Sequence, residues 1–389
     1  MKKVILKLTA FTMLVGTTIS VSAQSANSIN VVTTAVPFLR ISPDARSGGM
    51  GDVGIATIPD ANSIFWNLAK VPFAKSNSAI ALTYTPWLTG LGLNDVYLMS
   101  AAAYGKIDEN QAISGSVRYF SLGNIQFTDN SGNDLQTYRP REFSIDGGYS
   151  RKLSEKLGLG IALRYINSNL ASGQSSSGST YKTGTSVAGD VSLFNDGSQG
   201  GTVSGLNWGV AITNLGTNRA YTKEAAEKDF IPANLGIGAA YVNVFDETSK
   251  VTFGLDINKL LVPTPPAIGD SLGLVNYHNK DVVSSWFSSF TDAPGGFSEE
   301  LKEFQISVGA EYTYNDQFSF RAGYFYENPT KGDRQYFTVG AGLTYNLFGL
   351  NFSYLIPSGN GVNRNPLSNT LRFSILFNLD KATAVGGND

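Results

Sequence analysis

Residues 46 to 57 read RSGGMGDVGIAT, with Gly49, Gly51 and Gly54 in the spacing G-x-G-x-x-G. Where such glycines follow a buried strand and open a helix, they let backbone N–H groups cradle a dinucleotide pyrophosphate. The context here is wrong for that chemistry. Polar RISPDARS overlaps and precedes the glycines, and Val71 stands twenty residues after Gly51, where a ribose-binding acid belongs. Other reactive combinations are scarce. The chain has no Cys and one His, His278, which excludes thiolate chemistry and leaves little for a metal centre or a Ser-His pair. DNSGND at 129–134 offers oxygen ligands but lacks the Gly and distal Glu of an EF-hand loop, so its residues read as turn chemistry. The expectation is a protein that is not an enzyme, with no catalytic residue, no cofactor and no metal.

The glycines must then serve structure, and the elements around them decide which. The chain opens MKKVILKLTAFTMLVGTTISVSAQ: a basic start, an apolar stretch, then Val21-Ser22-Ala23 with small residues at a cleavage site. This is the pattern of a secretory signal peptide spanning 1–23 and cut after Ala23. Its removal takes away Lys2, Lys3 and Lys7 and no acid, so the net charge of −2 becomes −5. No basic patch suggests nucleic acid. Past residue 23, no apolar run reaches the roughly 18–20 residues of a spanning helix. Yet 42 Gly, 23 Phe and 18 Tyr are many for an ordinary soluble domain. An exported chain of this kind is either a soluble all-β protein or an outer-membrane barrel.

Alternation favours the barrel. In FQISVGAEYTY, Phe304, Ile306, Val308, Ala310, Tyr312 and Tyr314 share one face, and Gln305, Ser307, Gly309, Glu311 and Thr313 the other. A strand turns successive side chains to opposite faces, so one face is apolar and the other small or polar. The pattern recurs in 14 segments, approximately 78–86, 94–104, 111–121, 142–151, 156–167, 182–193, 203–214, 233–243, 249–258, 303–314, 317–326, 335–346, 348–356 and 369–379. Their lengths suit tilted transmembrane strands, and an even count returns both barrel ends to the periplasm. Connections after odd strands are long and those after even strands short, as extracellular loops and periplasmic turns require. The expected fold is an all-β, antiparallel transmembrane barrel over 78–380, with a short periplasmic tail at 381–389.

Charges fall on the face opposite the apolar one: Asp146, Arg164, Asp190, Asp256, Glu311, Arg321 and Arg372. In lipid they would be costly, whereas in a lumen they pair into a neutralising network. Residues 24–77 do not alternate. They are too few for a domain with its own core and read as a hatch folded inside the barrel. The loop at 259–302 is the longest connection. Its DVVSSWFSSF puts Val282, Val283, Trp286, Phe287 and Phe290 at helical intervals, and Phe297 follows. These aromatics either anchor a partner or cargo, or pack over the barrel mouth.

Within the hatch, PFLRISPDARSGGMGDVGIAT followed by PDANSIFWNLAK closely resembles the amino-terminal signature of the PorV (LptO) family of type IX secretion barrels, related to the FadL family. The signature positions here are Pro37, Phe38, Arg40, Pro43, Asp44, Arg46, Gly48, Gly49, Met50, Gly51 and Asn67. Leu68 stands where the family pattern has Pro. The resemblance implies a 14-stranded, FadL-like barrel with an N-terminal hatch. It also implies a non-enzymatic role in export. Such barrels associate with a giant translocon barrel, receive cargo through its C-terminal domain and carry it to the attachment machinery. The FadL relationship implies an alternative, lateral passage of a hydrophobic small molecule. From the residues themselves, Gly48, Gly49 and Gly51 are expected to let the hatch approach the wall, with Asp44 and Arg46 pinning it there.

Overall fold

The computed structural model describes residues 29–380 apart from 90–91, 129–130, 174, 177–178, 222–227, 267–268 and 358–368. The expected signal peptide, the first hatch residues and the tail at 381–389 lie outside the described residues. Fourteen antiparallel strands close on themselves: β1 Ser78–Pro86, β2 Val96–Lys106, β3 Gln111–Leu122, β4 Arg141–Lys152, β5 Leu157–Asn169, β6 Gly184–Asn195 and β7 Gly205–Gly216 form one half. The other half is β8 Asn234–Val244, β9 Ser249–Leu260, β10 Gln305–Tyr314, β11 Phe318–Tyr326, β12 Gln335–Tyr345, β13 Phe348–Pro357 and β14 Leu371–Asn378. Each strand pairs with its sequence neighbours, and β1 pairs with β14 from Ala79↔Asn378 to Tyr84↔Phe373. Closure leaves no sheet edge, the condition for strands to cross a bilayer.

The alternation has the cause expected from the sequence. Outward side chains such as Ile161, Leu163, Phe253, Val308 and Phe337 are exposed, while inward neighbours such as Ser144, Ser168, Asp256 and Ser353 are buried. One interruption occurs where β6 meets β7: the register shifts between Gly189 and Val191. There Asn214, in left-handed backbone, donates its N–H to Asp190 at 2.7 Å and its side-chain amide to Pro232 O at 2.9 Å.

Residues 29–77 lie within this wall. A 3-10 turn Pro37–Arg40 leads to helix α1, Ala45–Gly48, then α2, Ser63–Trp66, and a second 3-10 helix Leu68–Phe73 that feeds β1. α1 packs on β12, β13 and β14, whereas Leu68–Phe73 packs chiefly on β4, β5 and β6. The segment therefore bridges facing parts of the lumen. Above the opposite end, the β9–β10 connection carries three helices: α3 Ser271–Asn279, α4 Val282–Ser288 and α5 Phe297–Glu300. The expected stripe at 282–290 covers only the middle one. Asp270 and Asp281 cap α3 and α4 through the N–H groups of Gly273 and Ser284. The β3–β4 connection holds a small hairpin, Ile125–Thr128 with Asp134–Tyr138, so residues 131–134 of DNSGND fall at its turn, its first two residues lying outside the described ones.

Candidate functional site

The glycine stretch is where the inner segment touches the wall most closely. Gly49 lies against Gly340 of β12, where an added Cβ would stand 3.1 Å from the Gly340 Cα. Gly51 has φ +69°, and a Cβ there would stand 2.6 Å from the backbone nitrogen of Tyr324 in β11. Only glycine meets both conditions at Gly51. Met50 is fully buried between Gly309 and Gly323, two wall glycines that leave room for its side chain and backbone. Gly48 abuts the side chain of Arg372. Gly54, third of the fingerprint, faces the Trp66 ring and donates its N–H to Asp256 Oδ2 at 2.7 Å, alongside Ile55 at 2.9 Å. Gly51 likewise donates its N–H to Thr338 Oγ1 of β12 at 2.8 Å, while the N–H groups of Gly48, Gly49, Met50 and Asp52 close the turn on carbonyls of residues 44–47, so these donors are already engaged.

Polar contacts fix the rest. Asp44 caps α1 by accepting from the Ser47 N–H at 2.9 Å and accepts from Trp66 Nε1 at 2.7 Å. Arg46 donates through Nε and Nη2 to Glu311 of β10 at 3.0 and 2.8 Å, and through Nη1 to Asp60 at 3.0 Å and Ile58 O at 2.8 Å. Arg321 of β11 reaches the same Glu311 at 2.6 Å, so two guanidiniums share one carboxylate while Asp60 balances Arg46. Pro43 O accepts from Ser100, and Leu39 O from Arg118 Nη1 at 2.8 Å. Phe38, behind Pro37, is fully buried with Trp87, Leu98, Phe120 and Ile166. Asn67 caps the second 3-10 helix by accepting from Ala69 N–H and donates to Leu193 O at 2.8 Å. At the next position, Leu68 is buried against Gly148 of β4.

A second charge group joins neighbouring strands. Arg164 of β5 bonds Asp146 of β4, Asp190 of β6 and Asn214, with its Nη2 2.9 Å from Asp190. Arg372, 2% exposed, has Nε and Nη1 without hydrogen-bond partners among the described residues. Between the inner segment and the wall remains a cavity of about 120 Å³, whose lining includes Arg118, Asp52, Asn214, Asn258 and Arg334.

At the mouth, sequence reasoning missed a further cluster. Lys259, at the end of β9 and 1% exposed, sits 2.6 Å from Glu303 and 3.1 Å from Glu300. Lys331 meets Glu303 at 3.0 Å and Glu299 at 2.5 Å, and Thr264 donates to Glu303 at 2.6 Å. Both ends of the helical loop are thereby tied to the rim. Beside it, Glu327 accepts from Arg334 at 2.7 and 2.9 Å and from Arg40 at 3.2 Å. Burial raises the Glu327 carboxyl, but Arg334 and Arg40 outweigh that and hold it below the usual glutamate range. EELKEF carries Glu299, Glu300 and Glu303 and KGDR carries Lys331 and Arg334, and neither stretch is near Lys259 in sequence.

The loop itself presents apolar surface. Phe287 and Phe297 are each 76% exposed, and Leu272, Val275, Val283 and Leu301 are also exposed. Phe290 is partly exposed, with the Lys259 ammonium 5.6 Å from its ring centre. Trp286 is half-buried. Packing over the mouth thus does not account for Phe287 or Phe297. Tyr277 and Val282 are the side chains that meet the rim, against Val32, Phe230, Leu260 and Val262.

Among solved structures the chain is similar to the TodX deltaS2S3 mutant monoaromatic hydrocarbon channel, at 12% identity and TM-score 0.50, over 86% of this chain and 96% of that one. It is also similar to the Pseudomonas putida toluene transporter TodX, at 11% identity and TM-score 0.49, over 90% and 98%. A Pseudomonas aeruginosa FadL homologue matches at 10% identity and TM-score 0.45, over 90% and 100%. At such identities the likeness concerns the fold. No curated protein matches the chain. The family model described as type IX secretion system protein PorV matches residues 23–267, well over half the sequence. The chain therefore belongs to the PorV family, as an outer-membrane barrel component of the type IX secretion system.

Proposed function

We propose that this barrel is a non-enzymatic cargo carrier that holds exported proteins by their C-terminal domains at its extracellular mouth. It would receive them beside the giant translocon barrel and pass them to the attachment machinery, with residues 1–23 removed on export. One observation carries the reading: the α3–α5 platform exposes Phe287, Phe297, Leu272 and Val283 beyond the strands, where no lipid covers them, on a base pinned by buried ion pairs. Apolar clusters of this kind mark protein contacts on otherwise polar loops. The inner segment acts as a hatch, and the small size of the cavity it leaves, about 120 Å³, speaks against passage of a hydrophobic molecule through the lumen.

Deleting the gene and analysing the medium tests the role. Loss of many secreted proteins at once supports it; normal secretion with impaired uptake of a hydrophobic nutrient would replace it with the transporter reading. The platform is tested by Phe287→Ser with Phe297→Ser. The double variant should reach the membrane at the normal level yet retain less cargo after mild detergent extraction. Unchanged cargo retention would remove the platform from the reading.

A further inference from the structure

The outer wall carries a feature that export does not use. Inter-strand register sets its outward rows. At the extracellular end, Tyr97 of β2 stands opposite Ser121 of β3, which stands opposite Arg141 of β4. One row nearer the membrane centre lie Tyr84, Met99, Tyr119 and Phe143, and the row below holds Leu82, Ala101, Val117 and Ile145. Ala101 is the one small side chain between Leu82 and Val117, and it leaves a hollow of about 390 Å³ bounded by Leu82, Met99, Val117, Phe373 and Ile375. Directly above, sharing Tyr119, is a second hollow of about 310 Å³ lined by Arg139, Arg141, Asn124, Ser121 and Asp95.

We propose that these two hollows form one site for a phosphorylated lipid of the outer leaflet. An acyl chain would lie over Ala101, and the headgroup phosphate would meet the guanidiniums of Arg139 and Arg141. The change from apolar to cationic lining occurs at the tyrosines Tyr84, Tyr97 and Tyr119, whose rings lie tilted against one another with centres 5.7 and 6.3 Å apart. Such aromatics sit at the headgroup level of a bilayer. Both arginines are exposed, so their donors are available. Asp95, whose carboxylate accepts from the Asn124 N–H at 2.8 Å and side-chain amide at 2.7 Å, offsets one of the two, and the pocket keeps a net formal charge of +1. Guanidinium is suited to phosphate because its N–H fork matches two phosphate oxygens. The occupant is a lipid rather than free phosphate because the apolar hollow and the cationic one adjoin at Tyr119, which lines both.

The test is native mass spectrometry of the intact barrel in detergent, titrated with dioleoyl phosphatidic acid, dioleoylglycerol and inorganic phosphate. Phosphatidic acid should bind one to one, about tenfold more tightly than dioleoylglycerol, as one or two charge-assisted bonds would give. Arg139→Ala with Arg141→Ala should abolish that preference and leave dioleoylglycerol binding unchanged. Ala101→Leu, which fills the hollow, should weaken both lipids while the barrel keeps its heat-dependent gel mobility. Equal binding of the two lipids, or a double variant that retains the preference, would overturn the site. Inorganic phosphate competing as well as phosphatidic acid would equally overturn it, since the chain would then contribute nothing.

Discussion

At Arg46 one side chain holds the inner segment to the wall through Glu311 and folds the segment on itself through Asp60. Removing one partner of a buried pair leaves the other charge uncompensated and costs about 3–5 kcal/mol. Arg46→Ala should therefore lower the midpoint of thermal unfolding, read by heat-dependent gel mobility, while Arg46→Lys recovers only part because one ammonium lacks the bidentate fork. Glu327 gives a pH-dependent counterpart. Its carboxyl is held below the ordinary value when folded, so its contribution is complete above the unfolded value and is lost as pH falls through the folded one. The stability difference between wild type and Glu327→Gln should be constant above about pH 5.5 and shrink steadily as pH falls below the ordinary glutamate value toward the lowered folded one. A difference that does not fall at all on acidification would mean that shape, not charge, makes the clamp. The sequence marked Arg46 as a pin and Glu311 as a lumen charge but did not pair them, and it gave no sign of the Glu327 clamp. Arg46 and Glu311 are 265 positions apart, and nothing local links them.

At the scale of elements, legibility followed the solvent. Each strand separates lipid from lumen, a constraint of period two that every residue obeys, and all 14 expected spans begin and end within two residues of β1–β14. The loop helices answer to no such constraint. α3 shows almost no segregation of apolar residues to one side, and only its cap at Asp270 marks it, so the sequence pattern reached α4 alone. What fixes the platform is the ion-pair cluster at its base. Lys259→Met should leave Glu300 without its lysine and loosen the loop, so that protease added outside intact cells cuts within 261–304 faster than in wild type. Heat-dependent mobility of the barrel should change little. The glycine contacts belong to the same scale: Gly51→Val places a β-branched side chain at positive φ against Tyr324, and the inner segment should lose its seat.

For the molecule as a whole, a filled lumen predicts no steady conductance in a planar bilayer, whereas Gly51→Val or Arg46→Ala should produce openings. A silent Gly51→Val barrel that still folds would show that the wall itself closes the path. The topology makes a second prediction. Short turns and the Ser78–Asp380 contacts mark the periplasmic end, yet Asn30 bonds Thr330 and Pro265 at the other. Because the chain has no Cys, single cysteines report sidedness cleanly. Ile29→Cys should react with an impermeant maleimide in intact cells, and Glu247→Cys, in the turn between β8 and β9, only after the membrane is opened.

That placement of Asn30 constrains how the protein is made. The segment before β1 runs the length of the lumen, from the rim down to Ser78, and touches β4–β6 on one side and β12–β14 on the other. A chain so threaded has no room to enter once β1 has paired with β14. The strands must instead be laid around it, with the last seam closing on a former already in place. The glycines at 48, 49 and 51 then set how closely that former meets the wall, so that a bulkier residue at any of them leaves a wound barrel around a loosened core.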